Sequence, residues 1–222
     1  MQLANKIIIA DDHPLFRAAL RQAVGQAIEG VEIVEADSLA AVQEAVVEHS
    51  DADLVLLDLH MPGTNGFTGL VFLRGQNPGM PVIVVSGSEE VSVMQRAMDY
   101  GASGFIPKSA PLEVISEAIV AVLEGEEWLP REITESTEDD VTEEERKFAA
   151  ALASLTPQQF RVLTMLTEGL LNKQIAYELN VSEATIKAHV TAILRKLGVH
   201  SRTQAVIAAQ KLSVDPARTE LD

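Results

Sequence analysis

Five short apolar runs alternate with helical patterns across the first 125 residues, and this alternation constrains the fold more than any other feature. The runs are rich in Val and Ile and are predicted strands, at residues 6–10, 31–36, 54–57, 81–86 and 104–107. The segments between them repeat apolar side chains at helical spacing and are predicted helices, at residues 15–27, 38–49, 66–75, 90–99 and 111–124. This order predicts an α/β fold with a five-stranded, doubly wound parallel sheet that is covered on both faces.

Charge is distributed unevenly along the chain. The formal net charge is −16, which by itself argues against binding to nucleic acid. Residues 1–125 carry 6 basic and 17 acidic side chains, and residues 126–153 carry 3 and 10. Residues 154–212 instead carry 7 basic and 3 acidic side chains. A basic unit of about 60 residues behind an acidic body predicts a separate nucleic-acid-binding module.

The residue types that are missing narrow the possible functions. The sequence contains no cysteine, which excludes disulfides, thiolate chemistry and metal sites built on cysteine. The first residues, MQLANKIIIADD, lack the basic region, long apolar core and cleavage site of a signal peptide. No apolar run approaches the roughly 20 residues that a membrane-spanning helix needs. We therefore expect a soluble cytoplasmic protein that does not act at a membrane.

Polar side chains stand at the carboxyl ends of four predicted strands, namely Asp11, Asp12, Asp58, Ser86 and Lys108. If the strands are ordered 2-1-3-4-5, these side chains meet at one edge of the sheet. Crowded carboxylates need a cation, and since we expect neither Cys nor His at these strand ends, Mg²⁺ is the predicted ion. A carboxylate nucleophile, a metal ion, a lysine and a hydroxyl together predict a site that accepts a phosphoryl group as an aspartyl phosphate.

The segments around these side chains resemble the receiver domain of two-component response regulators. The resemblance rests on IIIADDHPLFR (7–17), LVLLDLHMPGTNGF (54–67), VIVVSGS (82–88) and GASGFIPKS (101–109), in matching order and spacing. The DDHP motif with its following apolar pair and Arg17 is similar to the NarL/FixJ family in particular. The resemblance implies a flavodoxin-like receiver fold and phosphorylation of Asp58 by a partner histidine kinase.

The same resemblance implies a role for each residue of the set. Mg²⁺ would be held by Asp11, Asp12, Asp58 and the main-chain carbonyl of His60. Ser86 would move toward the phosphoryl group, and Lys108 would pair with it. Phe105 stands where the family often has an aromatic switch residue, although a phenylalanine here is also an ordinary core residue. The His60 side chain is either a general base or an exposed bystander.

The basic unit is predicted to be helical from about residue 155 to residue 212. Its first helix begins at N-cap Thr156, with Gln159 closing a capping box. A short helix at 172–180 and a third helix capped by Ser182 follow. Two short helices joined by a tight turn predict a helix-turn-helix.

The third helix of this unit has one apolar and one basic face. Lys187, Thr191 and Arg195 recur at helical spacing on the basic face, which starts at the helix N-terminus as a major-groove helix requires. The predicted base contacts are Lys187, Ala188 and Thr191. The predicted phosphate contacts are Lys173, Thr185, Arg195, Lys196, Ser201 and Arg202.

The unit resembles the LuxR-type helix-turn-helix along its full length, from LTPQQF to HSRTQAV. Where the family usually has Arg–Glu, this chain has Gln158–Gln159, which still allows the capping box to close. Residues 201–212 would form a fourth helix, which in the family often provides a dimer surface. The predicted division is a receiver domain at 1–125, an acidic, partly helical linker at 126–153 and a DNA-binding domain at 154–222.

These features predict a transcriptional regulator switched by phosphorylation, which binds paired half-sites on double-stranded promoter DNA as a homodimer. The only reactions that it would carry out itself are its own phosphorylation and dephosphorylation at Asp58, so an enzyme is not expected. Two alternatives stay open. An aspartate-nucleophile phosphatase typically has a second Asp two residues after the nucleophile, where this chain has His60. A receiver that is never phosphorylated would serve only as a dimer scaffold.

Overall fold

The computed structural model describes residues 6–64, 66–130 and 141–214. Its strands are β1 (Lys6–Ala10), β2 (Glu32–Ala36), β3 (Leu54–Asp58), β4 (Val82–Ser86) and β5 (Gly104–Pro107). Every neighbouring pair is parallel, and the order is β2-β1-β3-β4-β5. The predicted doubly wound sheet is confirmed, and the predicted strand ends differ from the observed ones by at most one residue.

The helices of the first half cover the sheet, and those of the second half form a helical bundle. The first set is α1 (Pro14–Ala27), α2 (Leu39–Glu48), α3 (Thr68–Gln76), α4 (Val91–Asp99) and α5 (Leu112–Leu123). The second set is α6 (Glu143–Ala153), α7 (Pro157–Thr167), α8 (Asn172–Glu178), α9 (Glu183–Leu197) and α10 (Arg202–Gln210). Within the described part of the chain, none of these helices combines the length and apolarity needed to cross a bilayer.

The sheet is apolar on both faces because side chains alternate along each strand and helices cover both sides. Every residue of β3 and β4 is buried. One face, with Ile9 and Leu56, packs against α1 and α5. The opposite face, with Ile8 and Leu57, packs toward α2, α3 and α4.

The helix starts follow the predicted caps. Thr156 and Gln159 form the capping box of α7, and Ser182 accepts a hydrogen bond from the N–H of Thr185 at the start of α9. Asn180 has φ 51° and provides the left-handed turn between α8 and α9. The helix-turn-helix geometry is therefore encoded locally, by side chains that satisfy the free backbone groups of the helix ends.

The start of the predicted linker forms one isolated parallel bridge with the edge strand of the sheet, between Trp128 and Gly104. The Trp128 N–H donates to the carbonyl of Ser103 at 3.2 Å, and the Trp128 carbonyl accepts from the N–H of Phe105 at 3.0 Å. The acidic Ser/Thr/Asp/Glu cluster that follows is at 131–140 and lies outside the described residues. The chain then re-enters as α6, which begins with a capping box between Thr142 and Glu145.

The bundle packs against the sheet-containing unit through α3. The rings of Phe72 and Phe160 stack at a centroid distance of 4.1 Å. The Gln76 amide donates to the carbonyls of Ala153 at 3.2 Å and Leu155 at 3.1 Å. The apolar core consequently continues from the sheet-containing unit into α6 and α7 without a break.

Candidate functional site

The strand-end side chains converge at the carboxyl edge of the sheet. The carboxylates of Asp11 and Asp58 are fully buried, and the Lys108 ammonium lies 2.7 Å from an oxygen of each. Lys108 reaches them because its N–H donates to the Ser86 carbonyl at 2.7 Å, which aligns the end of β5 with that of β4. One cation thus bridges carboxylates from β1 and β3, as parallel neighbouring strands allow.

Each acid and the hydroxyl also stabilise the turn that follows their strand. Asp58 accepts a hydrogen bond from the N–H of His60 at 3.1 Å, and Asp11 accepts one from the N–H of His13 at 2.7 Å. The Ser86 hydroxyl accepts one from the N–H of Ser88 at 3.2 Å. These bonds to a backbone N–H two residues ahead keep the side chains at the edge, where the chain leaves the sheet.

The electrostatics of the edge keep its central pair charged. Burial by itself would raise the pKa of Asp58, but the His60 contacts and the Lys108 ammonium outweigh it, so the pKa of Asp58 is lowered. Burial would lower the pKa of Lys108, but Asp11 and Asp58 outweigh it, so the pKa of Lys108 is raised. Asp58 is therefore a carboxylate at neutral pH, the form a nucleophile needs.

The donor set is suited to a hard divalent cation. Asp11 Oδ2 and Asp12 Oδ1 are both buried; the Lys108 ammonium lies 2.7 Å from the first, and His13 Nδ1 lies 2.8 Å from the second. Oxygens of Asp11, Asp12 and Asp58, together with a nitrogen of His13, lie within 4.8 Å of one another. Since Mg²⁺ binds through one or two carboxylates and keeps several waters, the carboxylate oxygens fit this ion.

The expectation that no histidine lies at these strand ends is wrong. His13 Nδ1 lies 2.8 Å from Asp12 Oδ1, and His60 Nδ1 lies 3.8 Å from Asp58 Oδ1. His13 is the N-cap residue of α1, and Pro14 starts the helix, so the backbone turns the imidazole back over the acids. The signal in the sequence was the histidine directly after the acidic pair.

Arg17 is a second residue of this edge whose contacts the sequence did not reveal. Its guanidinium donates to the main-chain carbonyl of Asp11 at 2.6 Å and to the Glu35 carboxylate at 2.8 Å. It thereby ties the end of β1 to β2. The Phe16 ring lies 5.0 Å from the Lys108 nitrogen, within cation–π range.

Phe105 is fully buried and pairs with Val84 in the β4–β5 register. It belongs to the core that faces α2, α3 and α4 rather than to the surface. This position is consistent with both readings of the residue, since a core ring next to the end of β4 can also respond to movement of Ser86.

The outer face of α9 is open to solvent. Lys187, Ala188, Thr191 and Arg195 are all exposed. Lys187 lies 3.2 Å from the Glu183 carboxylate one helical turn before it. The apolar stripe of α9, with Ile186 and Ile193, is buried against the other helices of the bundle.

Two of the side chains that are predicted to contact DNA phosphates instead form hydrogen bonds within the protein. Lys196 donates to the Ser154 carbonyl at 2.7 Å. Arg202 donates to the carbonyls of Leu170 at 2.6 Å and Leu166 at 3.3 Å. Either side chain would have to leave a backbone acceptor in order to reach DNA. Lys173 and Ser201 are exposed.

Comparison with known proteins identifies both units. Residues 7–120 match the model of the response regulator receiver domain, and residues 153–209 match that of the bacterial regulatory proteins of the luxR family. The glycerol metabolism activator of Pseudomonas putida is 43% identical over 92% of this chain and 94% of that protein. The nitrate/nitrite response regulator NarP of Escherichia coli is 35% identical over 91% of this chain and 93% of that protein.

Solved structures agree with this assignment. RcsB from Salmonella typhimurium matches with a TM-score of 0.56 at 25% identity, over 93% of this chain and 98% of that one. RcsB bound to promoter P1flhDC in the presence of the phosphomimetic BeF3⁻ matches with a TM-score of 0.52 at 26% identity, over 94% and 99%. The chain belongs to the response regulators of the NarL/NarP type, and it is a transcriptional regulator in which a receiver domain precedes a LuxR-type DNA-binding domain.

Proposed function

We propose that Asp58 is the phosphoacceptor of this regulator and that a sensor histidine kinase is the donor. The observation that carries the proposal is the buried, ionised Asp58 carboxylate with Lys108 at 2.7 Å. A carboxylate oxygen of Asp58 forms a bond to phosphorus while the P–N bond of the kinase phosphohistidine breaks. The freed imidazole takes up a proton. Attack of water on the acyl phosphate later returns the carboxylate and inorganic phosphate.

The residues of the edge divide the work. Asp11, Asp12, Asp58 and the main-chain carbonyl of His60 would hold Mg²⁺, which when bound would neutralise charge on the transferring phosphoryl group. The Lys108 ammonium leaves the Asp58 carboxylate and binds a phosphoryl oxygen. It keeps its ion pair with Asp11. The Ser86 hydroxyl donates to a second phosphoryl oxygen, and the buried Phe105 follows its movement as the switch residue.

The output is DNA binding by the unit at 154–222. Lys187, Ala188 and Thr191 contact base edges, and Lys173, Thr185, Arg195, Lys196, Ser201 and Arg202 contact phosphates. The phosphorylated chain binds paired half-sites as a homodimer, in the cytoplasm, where a bacterial chromosome lies. Residues 1–125 are the receiver, and 126–153 connect it to this unit.

Intact-mass measurement after incubation with a small acyl phosphate tests the proposal. We expect the natural chain to gain one phosphoryl group, and to require Mg²⁺ for it. Asp58→Asn should gain none. Asp51→Asn is the matched control, because Asp51 pairs with Lys6 at the opposite end of the same sheet and should not affect uptake. Uptake by Asp58→Asn would refute Asp58 as the acceptor, and no uptake by the natural chain would favour the scaffold alternative.

A further inference from the structure

A cavity lies where α2, the loop after β3 and α7 meet, and it is here called the α2–α7 cavity. Its volume is about 230 Å³. Neither Asp58 nor Lys108 lines it, so it is distinct from the phosphoacceptor site. The site and the DNA-binding unit described above give it no role.

The walls of the α2–α7 cavity are largely apolar and are held in place by the fold. Leu39 and Phe160 are each only 2% exposed and form its floor. The Leu39 N–H donates to the Pro62 carbonyl at 3.1 Å, which ties the loop to the start of α2. A Cβ on Gly63 would lie 3.5 Å from the Leu39 Cβ and 3.9 Å from a Thr164 methyl, so the loop also reaches α7. The cavity is therefore preformed, as small-molecule sites usually are.

Gln43 places an unpaired donor at this cavity. The residue lines the cavity and is 9% exposed. Its Nε2 is buried and has no hydrogen-bond partner among the residues that the structure describes. Because a buried donor without an acceptor is destabilising, native proteins seldom leave one unpaired. A molecule in the cavity could supply the missing acceptor.

The size and charge of the cavity define the class of that molecule. An apolar cavity of about 150 Å³ already admits benzene, so this larger one has room for a ring with a short polar substituent. The exposed Arg161 and Glu168 also line it, and their opposite charges give it no net charge. A carboxylate buried beside Gln43 would have only a neutral amide as its partner, which does not offset the loss of hydration. A neutral acceptor, such as a carbonyl oxygen, avoids this cost.

We propose that the α2–α7 cavity binds a small neutral molecule with an apolar body and one carbonyl oxygen, which accepts a hydrogen bond from Gln43 Nε2. The ligand contacts α2 and α7 together, so its binding favours the arrangement in which these helices are adjacent. The proposal does not rest on phosphorylation of Asp58, since no residue of that site takes part.

Three probes test the chemical class. Acetophenone and α-methylstyrene have the same shape, but the second has a methylene group in place of the carbonyl oxygen. Benzoate has a carboxylate instead. Titration of the ¹⁵N-labelled full chain, followed by NMR, reports the dissociation constant of each probe and the shift of the Gln43 side-chain amide. We expect acetophenone to bind about tenfold more tightly than either of the others, as one net hydrogen bond allows, and to shift that amide.

Gln43→Met tests the donor, because methionine keeps the length of the side chain and removes the amide. We expect this variant to bind acetophenone and α-methylstyrene with affinities within about twofold of each other. Its free energy of unfolding in urea should not fall, because the natural amide has no partner to lose. Gln26→Met is the matched control, since Gln26 is exposed on α1, which covers the other face of the sheet.

Ala40→Phe tests the location of binding. Ala40 is exposed on α2 and lines the cavity, so a phenylalanine there should fill the mouth without disturbing the core. We expect the affinity for acetophenone to fall more than tenfold. Val47→Phe is the control, because Val47 is 76% exposed on the same helix and does not line the cavity.

Each other outcome overturns the proposal or one part of it. If the natural chain binds none of the probes, water alone occupies the cavity and the proposal fails. Equal affinities for acetophenone and α-methylstyrene would overturn the role of Gln43, and so would a loss of stability in Gln43→Met. Tighter binding of benzoate would overturn the neutral class. An unchanged affinity in Ala40→Phe would place the binding outside this cavity.

Discussion

The carboxyl edge of the receiver sheet and the outer face of α9 both depend on charged side chains, but they are built in opposite ways. At the edge, Asp11 and Asp58 are buried, come from different strands and share Lys108. On α9, Lys187 and Arg195 are exposed and come from one helix. Charge at the edge is consequently coupled to folding, whereas charge on α9 is available for binding with little effect on stability.

Removing the shared cation should give the largest effect. Lys108→Met leaves two buried carboxylates unpaired, so we expect the free energy of unfolding to fall by about 3 kcal/mol, measured by urea denaturation. Added Mg²⁺ should restore part of the loss by binding the same carboxylates. Lys6→Met, at the other end of the sheet, removes ion pairs with the exposed Asp51 and Glu32 and should cost far less. Equal losses in the two variants would contradict the difference described here.

Removing one exposed cation from α9 should act on DNA binding instead. For Lys187→Ala, we expect DNA affinity to fall by about 1–3 kcal/mol, measured by fluorescence anisotropy at fixed salt. The free energy of unfolding should change by less than about 0.5 kcal/mol. Lys147→Ala is the control, because Lys147 also pairs with a glutamate one turn before it, at 3.4 Å, but on α6. A similar loss of DNA affinity in both variants would contradict the prediction that α9 contacts the DNA bases.

Arg202 is a predicted DNA contact, as the α9 cations are, but its side chain is hydrogen-bonded within the protein. Its replacement should lower the free energy of unfolding by less than Lys108→Met does. Its hydrogen bonds to the carbonyls of Leu170 and Leu166 predict that Arg202→Ala lowers the free energy of unfolding by about 1–2 kcal/mol. If Arg202 remains on these carbonyls in the complex, the salt dependence of DNA binding should not change. A decrease of about one in the slope of log affinity against log salt would instead identify Arg202 as a phosphate contact.

The smallest expected effect is on the pH dependence of the free energy of unfolding, to which Asp58 and Lys108 at the sheet edge contribute. Because the pKa of Asp58 is lowered by folding, its contribution is present above the ordinary carboxyl pKa and is lost as pH falls through the lowered value. Because the pKa of Lys108 is raised, its contribution is present below the ordinary lysine pKa and is lost as pH rises through the raised value. Asp58→Asn should therefore flatten the acid limb of the curve of unfolding free energy against pH, and an unchanged acid limb would contradict the coupling.

Much of the architecture was predictable because its signals are local. Alternating apolar runs and helical patterns predicted the sheet, and capping residues such as Thr156 and Ser182 predicted helix starts. The strand-end residues were also predictable, since parallel strands present their carboxyl ends at one edge. The role of His13 was missed because it depends on how the start of α1 turns the imidazole toward Asp12.

The sequence by itself determined the two units, the acidic edge and the basic helix, because periodicity and spacing along the chain encode them. Only the tertiary structure decided which charges are free. It placed Arg202 on internal carbonyls, brought Trp128 to the edge of the sheet and bound the carbonyls of Lys211 and Leu212 to Arg96 and Phe67. These contacts join residues far apart in the chain through backbone atoms. Because every residue has these atoms, no side-chain pattern in the sequence predicts the contacts.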